Sequence, residues 1–114
     1  MEKYFVWLDD ERPIPEHIIR RASDDMYFIK FKGAVTCYHW LKENAGDNKV
    51  FISFDHDLGT DNTGYDLAKW IVENGIPLKG YTVHSMNPVG AANIHQLLDH
   101  YGYHRIKYWR ELKE

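Results

Sequence analysis

One cysteine, Cys37, in 114 residues excludes an internal disulfide and the framework of small secreted domains. No apolar run approaches the length of a membrane span or a signal segment, so a cytoplasmic location is the expectation. Positive charge is not in excess either. Fourteen Lys plus Arg against seventeen Asp plus Glu give a formal charge of −3, so no extended nucleic-acid surface is expected and any nucleotide ligand should be small or locally gripped. There is no Walker loop, dinucleotide fingerprint or zinc-ligand spacing. No repeat, low-complexity segment or linker divides the chain, and a single domain over residues 1–114 is expected. Apolar material is plentiful: 44% hydrophobic residues, with four Trp, eight Tyr and five Phe, suffice for a packed core.

Short apolar runs alternate with stretches of helical period. Tyr4 to Leu8 reads as a first strand, Met26 to Phe31 as an edge-like second, Val50 to Phe54 as a third and Tyr81 to His84 as a fourth. Arg105 to Tyr108 is a short candidate fifth. Pro13 and Pro15 leave room only for a stubby helix over Glu16 to Ala22. Ala34, Cys37, Tyr38, Leu41 and Ala45 fall on one helix face. Thr63-Gly64-Tyr65-Asp66 has the form of a capping box ahead of Leu67, Ala68 and Ile71. Asn87-Pro88 is an N-cap with proline in the first helical position, ahead of a stripe at Ile94, Leu97, Leu98 and Tyr101. Only six residues follow the fifth candidate strand, so the last helix should be short or missing. Five parallel strands in the order 2-1-3-4-5, inside a three-layer α/β fold of the flavodoxin type, account for this alternation.

That order places strands one and three side by side, and each ends in acid: Asp9-Asp10 after the first, Asp55-His56-Asp57 after the third. Ligands of such sheets bind at the carboxyl ends of the strands. Carboxylates crowded there raise one another's pKa unless a cation intervenes, and oxygen ligands suit a hard ion such as Mg²⁺ or Mn²⁺. Acidic loops after strands are also commonly just solvated, but here two converge. Asp10 and Asp55 are the preferred ligands, with Asp9 and Asp57 beside them. His84 and His56 sit at the ends of strands four and three, where either can move a proton on a phosphoester. His17, His39, His95, His100 and His104 occupy surface or helix positions. Arg12 can orient a phosphate bidentately or pair with Asp9 or Glu11. Ser85 suits a hydrogen bond to phosphate better than nucleophilic attack, as no Ser–His–acid arrangement is evident. Asn87 caps its helix, whose free amides at Pro88 to Gly90 attract phosphate if they face the rim. Lys107 either neutralises the same phosphate or is an ordinary edge lysine. Trp7 and Trp70 read as core aromatics rather than base platforms.

The layout resembles the receiver domain of two-component signalling, which implies Asp9 and Asp10 as its acid pair, Asp55 as acceptor, Ser85 as hydroxyl and Lys107 as lysine. The details depart from it. Asp55 leads into His56-Asp57-Leu58-Gly59 without the receiver's proline, and Lys107 precedes Tyr108. Trp7-Leu8-Asp9-Asp10-Glu11-Arg12-Pro13, Phe54-Asp55-His56-Asp57-Leu58-Gly59, Thr63-Gly64-Tyr65-Asp66 and Val83-His84-Ser85-Met86-Asn87-Pro88-Val89-Gly90 resemble, in order, the motifs of a cyclic-phosphate-processing receiver-like family. This resemblance implies a metal-dependent phosphoesterase acting on RNA 2′,3′-cyclic ends or cyclic nucleotides. His84, His56 and Asp55 are then the catalytic candidates, and Arg12, Ser85, Asn87 and Lys107 the phosphate-binding ones. A phospho-acceptor signalling domain and a catalytically silent nucleotide- or protein-binding module are the alternatives. Oligomeric state is not legible from these features.

Overall fold

The computed structural model describes residues 1–114. Strands β1 (Lys3–Leu8), β2 (Met26–Phe31), β3 (Lys49–Phe54) and β4 (Gly80–Val83) form one parallel sheet in the order β2-β1-β3-β4. β1 and β3 lie in its middle and are covered on both faces, which is why they read as continuous apolar runs rather than alternating ones. Helices α1 (Glu16–Arg21), α2 (Ala34–Asn44), α3 (Gly64–Glu73) and α4 (Pro88–His100) connect and flank the strands. The start signals of α3 and α4 act as their residue types dictate. Thr63 Oγ1 accepts from Asp66 N at 3.2 Å while Asp66 Oδ2 accepts from Thr63 N at 2.8 Å, a reciprocal capping box. Asn87 Oδ1 accepts from Gly90 N at 2.9 Å, with Pro88 in the first turn.

The two faces of the sheet are unequally clothed. Val6, Leu8, Val50, Ile52 and Phe54 point to one side and pack with Cys37 and Leu41 of α2, Leu67 and Ile71 of α3, and Ile94 and Leu98 of α4, in a cluster of 17 buried residues. Phe5, Trp7 and Phe51 point to the other and meet Ile18, Ala22, Met26, Ile106 and Leu112, a cluster of eight. At about 1.5–3 kcal/mol for each large apolar side chain buried, most of the packing energy lies on the first face. The second layer consists of the six-residue α1 and a 3-10 turn at Trp109–Lys113.

The sheet has four strands, not five. Around Arg105 the chain makes a single parallel bridge to Tyr81, with Tyr81 N donating to His104 O at 2.9 Å and Ile106 N to Tyr81 O at 2.8 Å. In a parallel ladder alternate amides face the neighbour, so the next donor would be Tyr108 N toward Val83. Glu111 Oε2 takes that amide at 3.0 Å and the amide of Lys107 at 2.9 Å. A side chain three residues ahead of Tyr108 has captured the donor a fifth strand requires, and the chain turns into the 3-10 segment instead. No helix is long and apolar enough to cross a membrane.

Candidate active site

Leu8 pairs with Phe54, and Phe54 with Val83. The residue after each, Asp9, Asp55 and His84, therefore extends the same register one row beyond the sheet. The ladder continues through their amides: Asp9 N to Phe31 O at 3.0 Å, Asp55 N to Leu8 O at 2.9 Å and His84 N to Phe54 O at 2.9 Å. Because side chains alternate, this row shares a face with Trp7 and Ser53, the thinly covered one.

Asp9 is 1% exposed and saturated. Its Oδ1 accepts from Glu11 N and Arg12 N, both at 2.8 Å, and its Oδ2 from Arg12 Nε at 3.1 Å and His84 Nε2 at 3.0 Å. Burial pushes its pKa up, but the amides of Arg12 and Glu11 and the His84 ring together pull it below the usual carboxylate value. Since the carboxylate takes the Nε2 proton, His84 Nδ1 is the bare nitrogen and accepts from Ser53 Oγ at 2.7 Å. The imidazole stacks on Trp7 at 3.7 Å and 6°, while Trp7 Nε1 donates to Arg12 O at 2.9 Å. Burial, first, with the Arg12 charge, outweighs Asp9 and lowers the His84 pKa to about 4. The ring is neutral near pH 7 and has no free nitrogen.

Ser53, His84 and Asp9 thus form a Ser–His–acid chain that sequence reasoning does not find. Its hydroxyl is no nucleophile: Ser53 is 1% exposed, inside β3. The one signal for it is a lone hydroxyl in the apolar run Val50-Phe51-Ile52-Ser53-Phe54.

Asp55 presents the opposite condition. Burial and the neighbouring Asp9 charge raise its pKa, only partly countered by Arg12, the His56 amide and the Ser85 hydroxyl. Arg12 Nη2 lies 3.9 Å from Asp55 Oδ1 and donates to His84 O at 3.3 Å, so one guanidinium spans both acids. Asp9, Asp10, Glu11, Arg12, Asp55, Asp57, Gly59 and Met86 line a cleft of about 580 Å³. Asp10 carries no hydrogen bond from a side chain or amide, and Gly59 makes room for it. With φ +64°, Gly59 adopts a left-handed conformation, and a Cβ there would meet Asp10 Oδ2 at 2.8 Å.

Of the other predicted residues, His56, Ser85 and Asn87 stand next in the chain to residues that line the cleft and bond to its acids or to one another, and Lys107 does not. His56 Nδ1 bonds Asp57 Oδ1 at 2.8 Å, an interaction that first among its causes lowers the Asp57 pKa. His56 Nε2 is unbonded and reaches solvent. Asn87 caps α4 and also donates to Asp57 Oδ2 at 3.3 Å. Ser85 Oγ accepts from Asn87 N at 3.0 Å. Lys107 is elsewhere, in a cleft formed with Arg21 and the Tyr108–Lys113 segment, because the fifth strand that would have carried it to the rim does not form. Two glycines, read in the sequence only as parts of the α3 capping box and the α4 start, let the loops close. A Cβ on Gly64 would lie 2.0 Å from the Asp55 carbonyl oxygen, and one on Gly90 would lie 2.4 Å from the His56 ring.

A hard cation fits one part of this constellation better than another. Ligand atoms of Asp9, Asp55 and His84 lie within 4.8 Å of one another, but the Asp9 oxygens and both His84 nitrogens already hold hydrogen-bond partners. Asp10 and Asp55 offer oxygen to the open cleft, and Asp55 is the carboxylate short of positive charge, whereas the two oxygens of Asp57 already hold His56 Nδ1 and Asn87 Nδ2. No curated protein and no solved structure matches the chain. Residues 4–100, which contain all four motif blocks and this entire rim, match the cyclic-phosphate processing receiver domain, and the chain belongs to that family.

Proposed function

We propose that the protein is a divalent-metal-dependent phosphoesterase that opens a cyclic phosphodiester, an RNA 2′,3′-cyclic end or a cyclic nucleotide. The observation that carries this reading is the division of the rim. One carboxylate is locked by four hydrogen bonds, while three others open on a cleft with a half-exposed arginine. Family membership supports the substrate class.

Asp10 and Asp55 would hold Mg²⁺ or Mn²⁺, which when bound supplies charge stabilisation at the phosphoryl oxygens. Arg12, fixed by Asp9 through Nε, turns its remaining donors to the phosphate and orients it. His56 accepts the proton of the attacking water at its free Nε2, while Asp57 holds the other nitrogen and steadies the imidazolium that forms. The water oxygen forms the new P–O bond, one ring ester bond breaks, and the departing alkoxide takes a proton from solvent water while His56 later returns its own to solvent, leaving a phosphomonoester and an alcohol. His84 acts as a positioning residue: it holds Asp9, which holds Arg12. Ser85 and Asn87 support Asp55 and Asp57 and flank the phosphate. The departure of Lys107 from the rim removes the cation a phospho-acceptor site would use, which favours hydrolysis over a phosphorylation switch at Asp55.

The test is turnover of a panel of 2′,3′-cyclic, 3′,5′-cyclic and cyclic dinucleotide phosphates and cyclic-ended RNA with Mg²⁺ or Mn²⁺. The expected result is metal-dependent product formation, abolished by Asp55→Asn and reduced at least about a hundredfold by His56→Ala. No turnover across the panel, with a stoichiometric acetyl-phosphate adduct on Asp55, overturns it in favour of signalling.

A further inference from the structure

We infer that the cleft between the end of α1 and the segment from Lys107 to Lys113, which turns away from the sheet in place of a fifth strand, binds single-stranded RNA, and that the protein acts on a polynucleotide end rather than a free nucleotide. The second clause rests on the phosphoesterase reading; the first does not. The cleft, about 400 Å³, is lined by Arg21, Lys107, Tyr108, Trp109, Arg110 and Lys113. Four of its six residues are cations, in a chain whose formal charge is −3. None of the four forms an ion pair, whereas Lys3, Arg12 and Arg20 each meet a carboxylate. The acid of the same turn, Glu111, pairs with none of them: its oxygens accept from the amides of Lys107 and Tyr108 and from the ring of His104.

Four cations without ion pairs around one cleft suit a ligand with several negative charges in series, rather than a lone anion. The aromatic rings separate a polynucleotide from other polyanions. Tyr108 is 58% exposed with the Arg110 guanidinium 4.7 Å from its ring centroid, and Trp109 stands beside it on the small cluster. Cations that follow a backbone, interleaved with aromatic faces for bases, are what unpaired strands require. An acidic peptide or a polyphosphate has no use for the rings. A 2′,3′-cyclic phosphate exists only on ribose, so the strand leading to such an end is RNA.

The experiment measures fluorescence anisotropy of a labelled 12-nucleotide single-stranded RNA with a 3′-hydroxyl, so that binding is read without chemistry. Four phosphate contacts predict that affinity falls about fiftyfold between 50 and 200 mM salt. Arg110→Ala/Lys113→Ala should reduce that dependence to about sevenfold and weaken binding at 50 mM salt. Lys107→Ala, whose side chain supports nothing in the fold, gives an independent variant with half that loss. Turnover of a 2′,3′-cyclic mononucleotide should be unchanged in all of them, while turnover of cyclic-ended RNA rises in KM. Absence of RNA binding at 50 mM salt, variants that bind as the parent does, or poly-glutamate or polyphosphate binding as tightly as RNA each overturn the inference. RNA binding without turnover of any cyclic phosphate supports the cleft and overturns only the preceding reading.

Discussion

Asp9 and Asp55 end neighbouring strands in one register row, yet their surroundings make them physical opposites. Asp9 accepts four hydrogen bonds, two from backbone amides, and its ionised form is stabilised. Asp55 is buried nearly as far, shares one arginine and is left with its ionised form disfavoured. The same residue type in the same row is structural in one strand and poised in the next. Local chain geometry decides the matter: the turn after β1 brings the Glu11 and Arg12 amides back onto Asp9, while Asp55 has only the amide of His56.

The largest test of this contrast is Asp9→Ala. Removing one partner of a buried charge cluster strands Arg12 and His84, and about 3–5 kcal/mol of stability should be lost in urea denaturation. A loss below about 1 kcal/mol would mean that Asp9 is not the rim's structural hub. Gly64→Ala should come next, at about 2–3 kcal/mol, because its Cβ overlaps backbone, the Asp55 carbonyl, which cannot rotate away. Gly90→Ala meets only the His56 ring and should cost less stability. A reversed order would show that the α4 terminus, not the α3 terminus, is the tighter closure.

The pH dependence of the metal-free protein separates the two acids further. His84 has its folded pKa depressed from 6.5 to about 4, so the stability it contributes is complete above pH 6.5 and is lost as pH falls toward 4. The slope approaches about 1.4 kcal/mol per pH unit. His84→Gln should flatten that interval in chemical-denaturation titrations, and an unchanged slope would remove His84 from the account. Asp9 adds a loss only below its ordinary value of 3.8, through its lowered folded pKa. Asp55 runs the other way: its raised pKa makes its contribution greatest below 3.8 and lost as pH rises through the folded value. Asp55→Asn should therefore leave the neutral-pH melting temperature equal or higher while abolishing turnover. Mg²⁺ at about a hundred times its Kd should stabilise the parent by about 2.7 kcal/mol and leave this variant unmoved. The smallest effect is expected at the opposite charge: Arg110→Ala/Lys113→Ala should stay within about 0.5 kcal/mol of the parent, since those cations serve a ligand rather than the fold.

Much of the molecule was legible because its signals are local. The runs ending at Leu8 and Phe54 form the two central strands, the Thr63-to-Asp66 box caps α3, and Asn87-Pro88 opens α4. The convergence of Asp9 and Asp55 followed from strand order alone. The fifth strand failed because its decisive interaction is an unusual one, a glutamate side chain taking the amides of Lys107 and Tyr108, which no β-propensity weighs. The Ser53–His84–Asp9 chain escaped notice because its members lie on three strands and because seven histidines in the chain give no reason to choose His84's partners.

By itself the sequence determined which residues stand at the strand ends, since alternation of apolar runs and capped helices admits few parallel topologies and each run stops at acid. Which acid is locked and which is open, which histidine keeps a free nitrogen, and on which edge Lys107 falls were decided only by the tertiary structure. Those properties depend on where amides, rings and one guanidinium meet across strands at hydrogen-bond distance. Energies of that range turn on fractions of an ångström, while the pattern of residues along the chain fixes only which groups are brought near.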